Sequence, residues 1–323
     1  MPPRIMPFSQ GYVYPAIHRH VRQWLSVLLT LSVLSGCASV RQVQYLLKST
    51  SLPLEQLQAP VAATPATTIY AFDSGSNPSH AILFLTGSGC ASLVNYLRPY
   101  LDGLRGPFRI FALEKPGIQY RDTGLFCSDE FLAENYFAAR RDRALAVTDW
   151  LLSGGAGLFE KVSLFGVSEG GVIAGEIAAL RSGISSVAII GSGGMSQRQA
   201  LRILYARGEI SMDIDALEKK VSRSPNSFDK SFGQTYRYWS SYFDVSPTEA
   251  LLLVNAPILA IMGVKDSSEP IESLDYLVQA FENAGKKNLE VKRLEDANHV
   301  LSRGGEDLKP VIMDAISGWI LKH

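Results

Sequence analysis

The sequence predicts an α/β fold: a mainly parallel sheet covered by helices on both faces, with a helical cap inserted late in the chain. Three observations point there. Strand and helix patterns alternate from about Ile69 onward, as a parallel sheet with crossover helices requires. Several strand segments are unbroken apolar runs, the mark of strands buried on both faces. A Gly166-Val167-Ser168-Glu169-Gly170 turn joins one such strand directly to an apolar helix.

The segment before the fold has its own logic. Arg19, His20 and Arg22 precede an apolar stretch from Trp24 to Leu34. That stretch is about half the length needed to span a bilayer and fits the apolar region of a signal peptide. It ends in Leu34-Ser35-Gly36-Cys37, which resembles a bacterial lipoprotein signal, with residues 1–36 removed and Cys37 lipidated. The resemblance implies attachment to the cell envelope through an N-terminal lipid. Ala38 stands where an aspartate would retain the protein in the inner membrane, so the outer membrane facing the periplasm is expected if the host has one. Residues 37–66, rich in Gln, Ala, Thr, Ser and Pro, read as a tether, and the folded domain as 67–323.

Within that domain the strand candidates are Ile69–Phe72, Ala81–Leu85, Phe108–Leu113, Lys161–Phe165, Val187–Ile190, Pro257–Met262 and Leu289–Leu294. Helical patterns cover Tyr136–Leu152, Val172–Arg181, Ile271–Ala284 and Leu308–Leu321. Residues of about 195–250 break the alternation, with short helical patterns and an aromatic group of Phe232, Tyr236, Tyr238, Trp239, Tyr242 and Phe243. This stretch reads as a cap. Most of the aromatics pack it to the sheet; Tyr238, Trp239 and Tyr242 are candidates for the wall of a substrate pocket.

Composition is that of a globular protein: 323 residues, 46% hydrophobic and 19% charged, with 31 basic and 31 acidic residues. The balance gives no basic surplus for nucleic acid. No His or Cys cluster has metal-ligand spacing and no Gly-rich phosphate loop follows the first strand, so neither a metal nor a cofactor is expected. Of three cysteines, Cys37 is the lipid carrier, which leaves Cys90 and Cys127 for a disulfide in an oxidising compartment or for two buried thiols.

The chemistry centres on Ser168. A serine between two glycines at a strand-to-helix turn has the form of a nucleophile elbow. Its hydroxyl needs a base. His18 and His20 leave with the signal, His323 ends the chain, and His80 precedes a strand on the entry side of the sheet. His299 remains, just past the strand ending at Leu294, where ligands meet open α/β sheets. The base in turn needs a carboxylate to orient it. Asp266, past the strand through Met262, is the favoured acid over Glu269 and Asp296.

In this order, Ser168, Asp266 and His299, together with the cap after the strand following the elbow helix, the chain is identified as a member of the α/β-hydrolase superfamily over roughly Ile69 to the C-terminus. The resemblance implies an α/β-hydrolase fold and an oxyanion hole of two backbone donors. One is the N–H of Glu169. The other comes from Thr86-Gly87-Ser88-Gly89-Cys90, with Ser88 preferred and Gly89 the alternative; the superfamily's common His-Gly is Thr86-Gly87 here. It also makes the strands ending at Leu85 and Leu113 neighbours. That sets Cys90 and Cys127 at one edge of the sheet and favours a bridge, and Glu114–Gly117 would shape the pocket wall. The Glu169 carboxylate leaves the elbow away from Ser168, as a substrate contact or a paired charge. The expected function is a lipid-anchored serine hydrolase acting on a small-molecule acyl substrate, carboxylesterase-like, with amidase, peptidase or thioesterase action on the same triad as alternatives. A non-catalytic envelope binding lipoprotein is the alternative of another class.

Overall fold

The computed structural model describes residues 54–58 and 68–323. The signal peptide, Cys37 and most of the tether lie outside the described residues.

Eight strands form one sheet: β1 (Glu55–Gln58), β2 (Thr68–Asp73), β3 (His80–Leu85), β4 (Phe108–Leu113), β5 (Lys161–Val167), β6 (Ile184–Ile190), β7 (Ile258–Gly263) and β8 (Leu289–Leu294). Their spatial order is β1-β2-β4-β3-β5-β6-β7-β8. The first two strands run antiparallel to their neighbours and the rest are parallel. The superfamily's expected fold is therefore present. One expectation is corrected. Glu55–Gln58, read as part of the tether, instead pairs with β2 as the edge strand. A polar sequence suits an edge, where only Leu57 turns towards the core, and Arg109 pairs with both Glu55 and Asp73 across the edge strands.

The apolar runs serve two cores at once. Ala81, Leu83 and Leu85 face one side of the sheet, against α3 (Phe137–Leu152), α4 (Glu169–Leu180) and α9 (Ile271–Asn283). Ile82 and Phe84 face the other, against the short α1 (Leu97–Tyr100) and α10 (Lys309–Lys322). The side-chain period of two along a strand makes this division, and each fully buried Leu, Ile or Phe contributes about 1.5–3 kcal/mol.

A short α2 (Asp129–Glu134) precedes α3. Between β6 and β7 the chain forms α5 (Gln197–Ala206), α6 (Ile214–Val221), α7 (Tyr236–Tyr242) and α8 (Pro247–Leu253). This stretch also holds a two-residue ribbon, Lys230–Ser231 against Gln234–Thr235, that the apolar pattern did not show. The helices begin at identifiable caps: Ser196 forms a capping box with Gln199, Asp213 caps α6 and Thr235 caps α7. The aromatic residues of α7 sit over the C-terminal ends of the central strands, where the site forms.

Candidate active site

Ser168 ends the turn between β5 and α4 at φ 54° and ψ −127°, a backbone conformation unfavourable for a residue with a side chain. Its N–H donates to Ile190 O at 2.7 Å and its carbonyl accepts from Gly171 N–H at 2.8 Å, so both neighbours hold the strained peptide in place. The flanking glycines are steric requirements. A Cβ at Gly166 would lie 2.3 Å from Gly170 O, and one at Gly170 would lie 2.1 Å from Leu85 O.

Ser168 and His299 line one cavity of about 250 Å³ together with Ser88, Glu269, Tyr238 and Tyr242. His299 Nδ1 lies 2.7 Å from Asp266 Oδ2. The Asp266 side chain is fully buried, and its other oxygen accepts from the Ser268 and Glu269 N–H groups at 2.8 and 3.0 Å. Both carboxylate oxygens are thus occupied, and the bond at Nδ1 fixes the edge of the His299 ring opposite Nε2. The two loops are tied to each other, Lys265 N–H donating to Ala297 O at 2.9 Å. Asn298 Oδ1 accepts from Val300 and Ser302 N–H and shapes the turn that carries His299.

The rival carboxylates are placed elsewhere. Asp296 turns outward to Lys265 at 2.5 Å, and that hydrogen bond lowers its pKa. Glu269 lines the cavity, and burial raises its carboxyl to about 7, with the Asp266 charge acting in the same direction and a hydrogen bond from Ser273 opposing.

Of the three aromatic candidates, Tyr238 and Tyr242 reach the cavity and Trp239 does not. The Trp239 ring stacks on Phe243 and its Nε1 donates to Ser231 O at 2.8 Å, so it is cap packing. The tyrosines have a second task. Tyr238 OH donates to Glu169 Oε2 at 2.8 Å, and Tyr242 OH and Arg140 Nη1 both donate to Glu169 Oε1. Glu169 is a paired carboxylate, buried under the elbow. Burial raises both phenol pKa values and keeps the hydroxyls as donors.

Arg140 was not singled out from the sequence, although a signal existed. It shares the buried face of α3 with Phe137, Ala144, Val147 and Leu151, and a cation on an apolar stripe demands a buried partner.

Of the two oxyanion candidates in the loop after β3, Ser88 lines the cavity, while Gly89 turns its carbonyl to Lys115. Lys115 is buried, and desolvation followed by the Arg140 charge holds its pKa well below the ordinary lysine value, with Glu114 opposing. Burial raises Glu114 to about 7 against hydrogen bonds from Leu93 and Lys115 N–H. Cys90 and Cys127 are joined in a disulfide that ties this loop to the one after β4. His80, at the opposite end of β3, is buried with Nε2 2.8 Å from Ser163 Oγ and takes no part.

The structure is similar to several solved ones. The Est1E protein of Butyrivibrio proteoclasticus is 13% identical with a TM-score of 0.56, the match covering 83% of this chain and 98% of that one. A Pyrococcus furiosus esterase is 15% identical with a TM-score of 0.58, covering 85% and 92%. A puromycin-hydrolyzing peptidase of Mycobacterium tuberculosis is 13% identical with a TM-score of 0.59, covering 83% of this chain and 39% of that one. At such identities the likeness establishes the fold. No curated protein matches by sequence. The sequence profile of the prolyl oligopeptidase family matches residues 141–323.

Proposed function

This chain belongs to the prolyl oligopeptidase family, and from that premise we propose that it is a serine hydrolase acting through Ser168, His299 and Asp266. The observation that carries the reading is the strained, cavity-lining Ser168 in the same cavity as a histidine whose far nitrogen is held by a buried aspartate. Ser168 Oγ attacks the substrate carbonyl carbon as His299 Nε2 takes its proton. The oxyanion is met by the N–H groups of Glu169 and Ser88, and His299 returns the proton to the leaving oxygen or nitrogen. Water, deprotonated by His299, then attacks the acyl-enzyme; the carboxylic acid leaves and Ser168 recovers its proton. Asp266 holds the imidazole and stabilises its cationic form.

The preferred substrate is a small carboxylic ester. A cavity of about 250 Å³ is modest for a ligand site, and Val172, Leu201 and Val245 give it an apolar wall suited to a short acyl or alcohol group. Attachment to the envelope through Cys37 belongs to the same proposal, supported by Leu34–Cys37 and by a disulfide of the kind exported proteins retain.

The test is fluorophosphonate labelling followed by turnover of a panel of short and long esters, thioesters and peptide arylamides. Label on Ser168, loss of several orders of magnitude in S168A, and a far larger loss in D266N than in D296N are expected. Folded protein that takes no label would instead point to a binding lipoprotein.

A further inference from the structure

We propose that Lys115, assisted by Arg140, is a positioning residue for the oxyanion site: the pair grips the carbonyl side of the Thr86–Gly89 loop and thereby aims the Ser88 N–H at the reacting oxygen. The inference rests on the proposed role of Ser168 as nucleophile.

Lys115 Nζ donates to Gly87 O at 2.9 Å and also to Gly89 O. Arg140 Nη2 donates to Thr86 O at 2.7 Å and approaches Gly87 O at 3.4 Å. Three carbonyls of the loop, those of Thr86, Gly87 and Gly89, are thus held by two buried side chains. The carbonyl of Gly87 and the N–H of Ser88 belong to one peptide group, and in a trans peptide they point in opposite directions. Fixing the first fixes the second.

The direction is the useful one. Lys115 and Arg140 line a narrow cleft behind the loop with Leu85, Thr86 and Glu114, whereas Ser88 lines the catalytic cavity with Ser168 and His299. The loop also touches the nucleophile, since a Cβ at Gly87 would lie 3.0 Å from Ser168 Cβ. The Arg140 guanidinium approaching Gly87 O further polarises that peptide and makes its N–H a better donor. Arg140 carries the coupling on, because its other nitrogen is paired with Glu169, whose own N–H is the second proposed donor. Both halves of the oxyanion site therefore hang from one guanidinium.

Lys115 can be removed without stranding its acidic neighbour. Glu114 keeps hydrogen bonds from Ser92 Oγ at 3.1 Å, Leu93 N–H at 2.8 Å and residue 115 N–H at 3.1 Å.

The experiment compares full-length wild type with K115M on a short ester and on an aryl trifluoromethyl ketone, which adds to a serine and leaves an oxyanion. Deleting a donor outright lowers kcat by about 10²–10³-fold, so losing its support should lower kcat by about 10–100-fold. KM should change by no more than about twofold, and affinity for the ketone should fall by the same factor as kcat/KM. A fall in kcat below threefold, or equal weakening of KM and ketone affinity, would overturn the proposal. S88P, which removes the N–H itself, separates the two levels. Inactive S88P with active K115M sinks the support alone, and active S88P sinks the donor assignment beneath it. Should K115M fail to fold, R140K is read on the same ratio. A lysine there keeps the charge beside Glu169 but not the fork that also reaches Thr86, and wild-type kcat in that variant would overturn the proposal.

Discussion

Removing the Cys90–Cys127 bridge should destabilise the protein strongly while leaving the chemical step nearly intact. The two cysteines are 37 residues apart. Bridging a loop of that size removes conformational freedom from the unfolded chain worth about 4 kcal/mol at 25 °C. The folded state loses little in exchange, because Cys90 sits in a small cluster with Phe131 and Leu132 that alanine still partly fills. For a domain of this size about 4 kcal/mol corresponds to roughly 10 °C in melting temperature. The Thr86–Cys90 loop, however, keeps its carbonyl bonds to Lys115 and Arg140 without the bridge. C90A/C127A should therefore unfold at a much lower urea concentration than wild type, with kcat within about fivefold. Wild type in reductant should converge on the variant. A stability difference under about 1 kcal/mol, or two alkylatable thiols in the unreduced native protein, would refute the argument.

Two further outcomes follow from the buried charges. R140M leaves Glu169 buried with only two tyrosine hydroxyls and should cost about 3–5 kcal/mol in urea unfolding. R140M/E169Q removes the stranded charge and should recover at least half of that; a double variant as unstable as the summed singles would show the pair is not coupled. His80 concerns acid stability: burial, then the Lys161 charge, depresses its pKa to about 4, against about 6.5 when unfolded. Its contribution is whole above pH 6.5 and is lost as pH falls towards 4, because only the unfolded chain takes the proton. The loss is about 2 kcal/mol after allowing for solvent screening. H80Q should flatten the dependence of the urea midpoint on pH over that window, and an unchanged slope would contradict the assignment.

What the sequence disclosed and what it withheld divide along physical lines. Strands buried on both faces announce themselves, because Ala81–Leu85 and Ile258–Met262 have no room for a polar side chain. The elbow was equally legible, since Gly166 and Gly170 stand where a Cβ would strike backbone. Asp266 and His299 could be named from their places beyond strand ends, which is local information. The edge strand Glu55–Gln58 was hidden because three of its four residues face water and suit a linker as well as a ladder. The Arg140–Glu169–Tyr238–Tyr242 cluster was hidden for another reason. It joins α3, the elbow and the cap, and side-chain bonds between segments far apart in sequence leave no period along it. Trp239 and Tyr242 read alike as aromatics of one short helix; only the direction each leaves that helix separates a packing residue from a pocket wall.

The fastening of Tyr238 and Tyr242 to Glu169 bears on how the cavity wall can move. Glu169, immediately after the proposed nucleophile, holds two residues of the cavity wall through their hydroxyl groups, and all three side chains are largely buried. Lifting that wall would strip a carboxylate of two of its partners. Any movement of α7 must therefore first break bonds to a buried carboxylate, which ties the position of this cavity wall to Glu169.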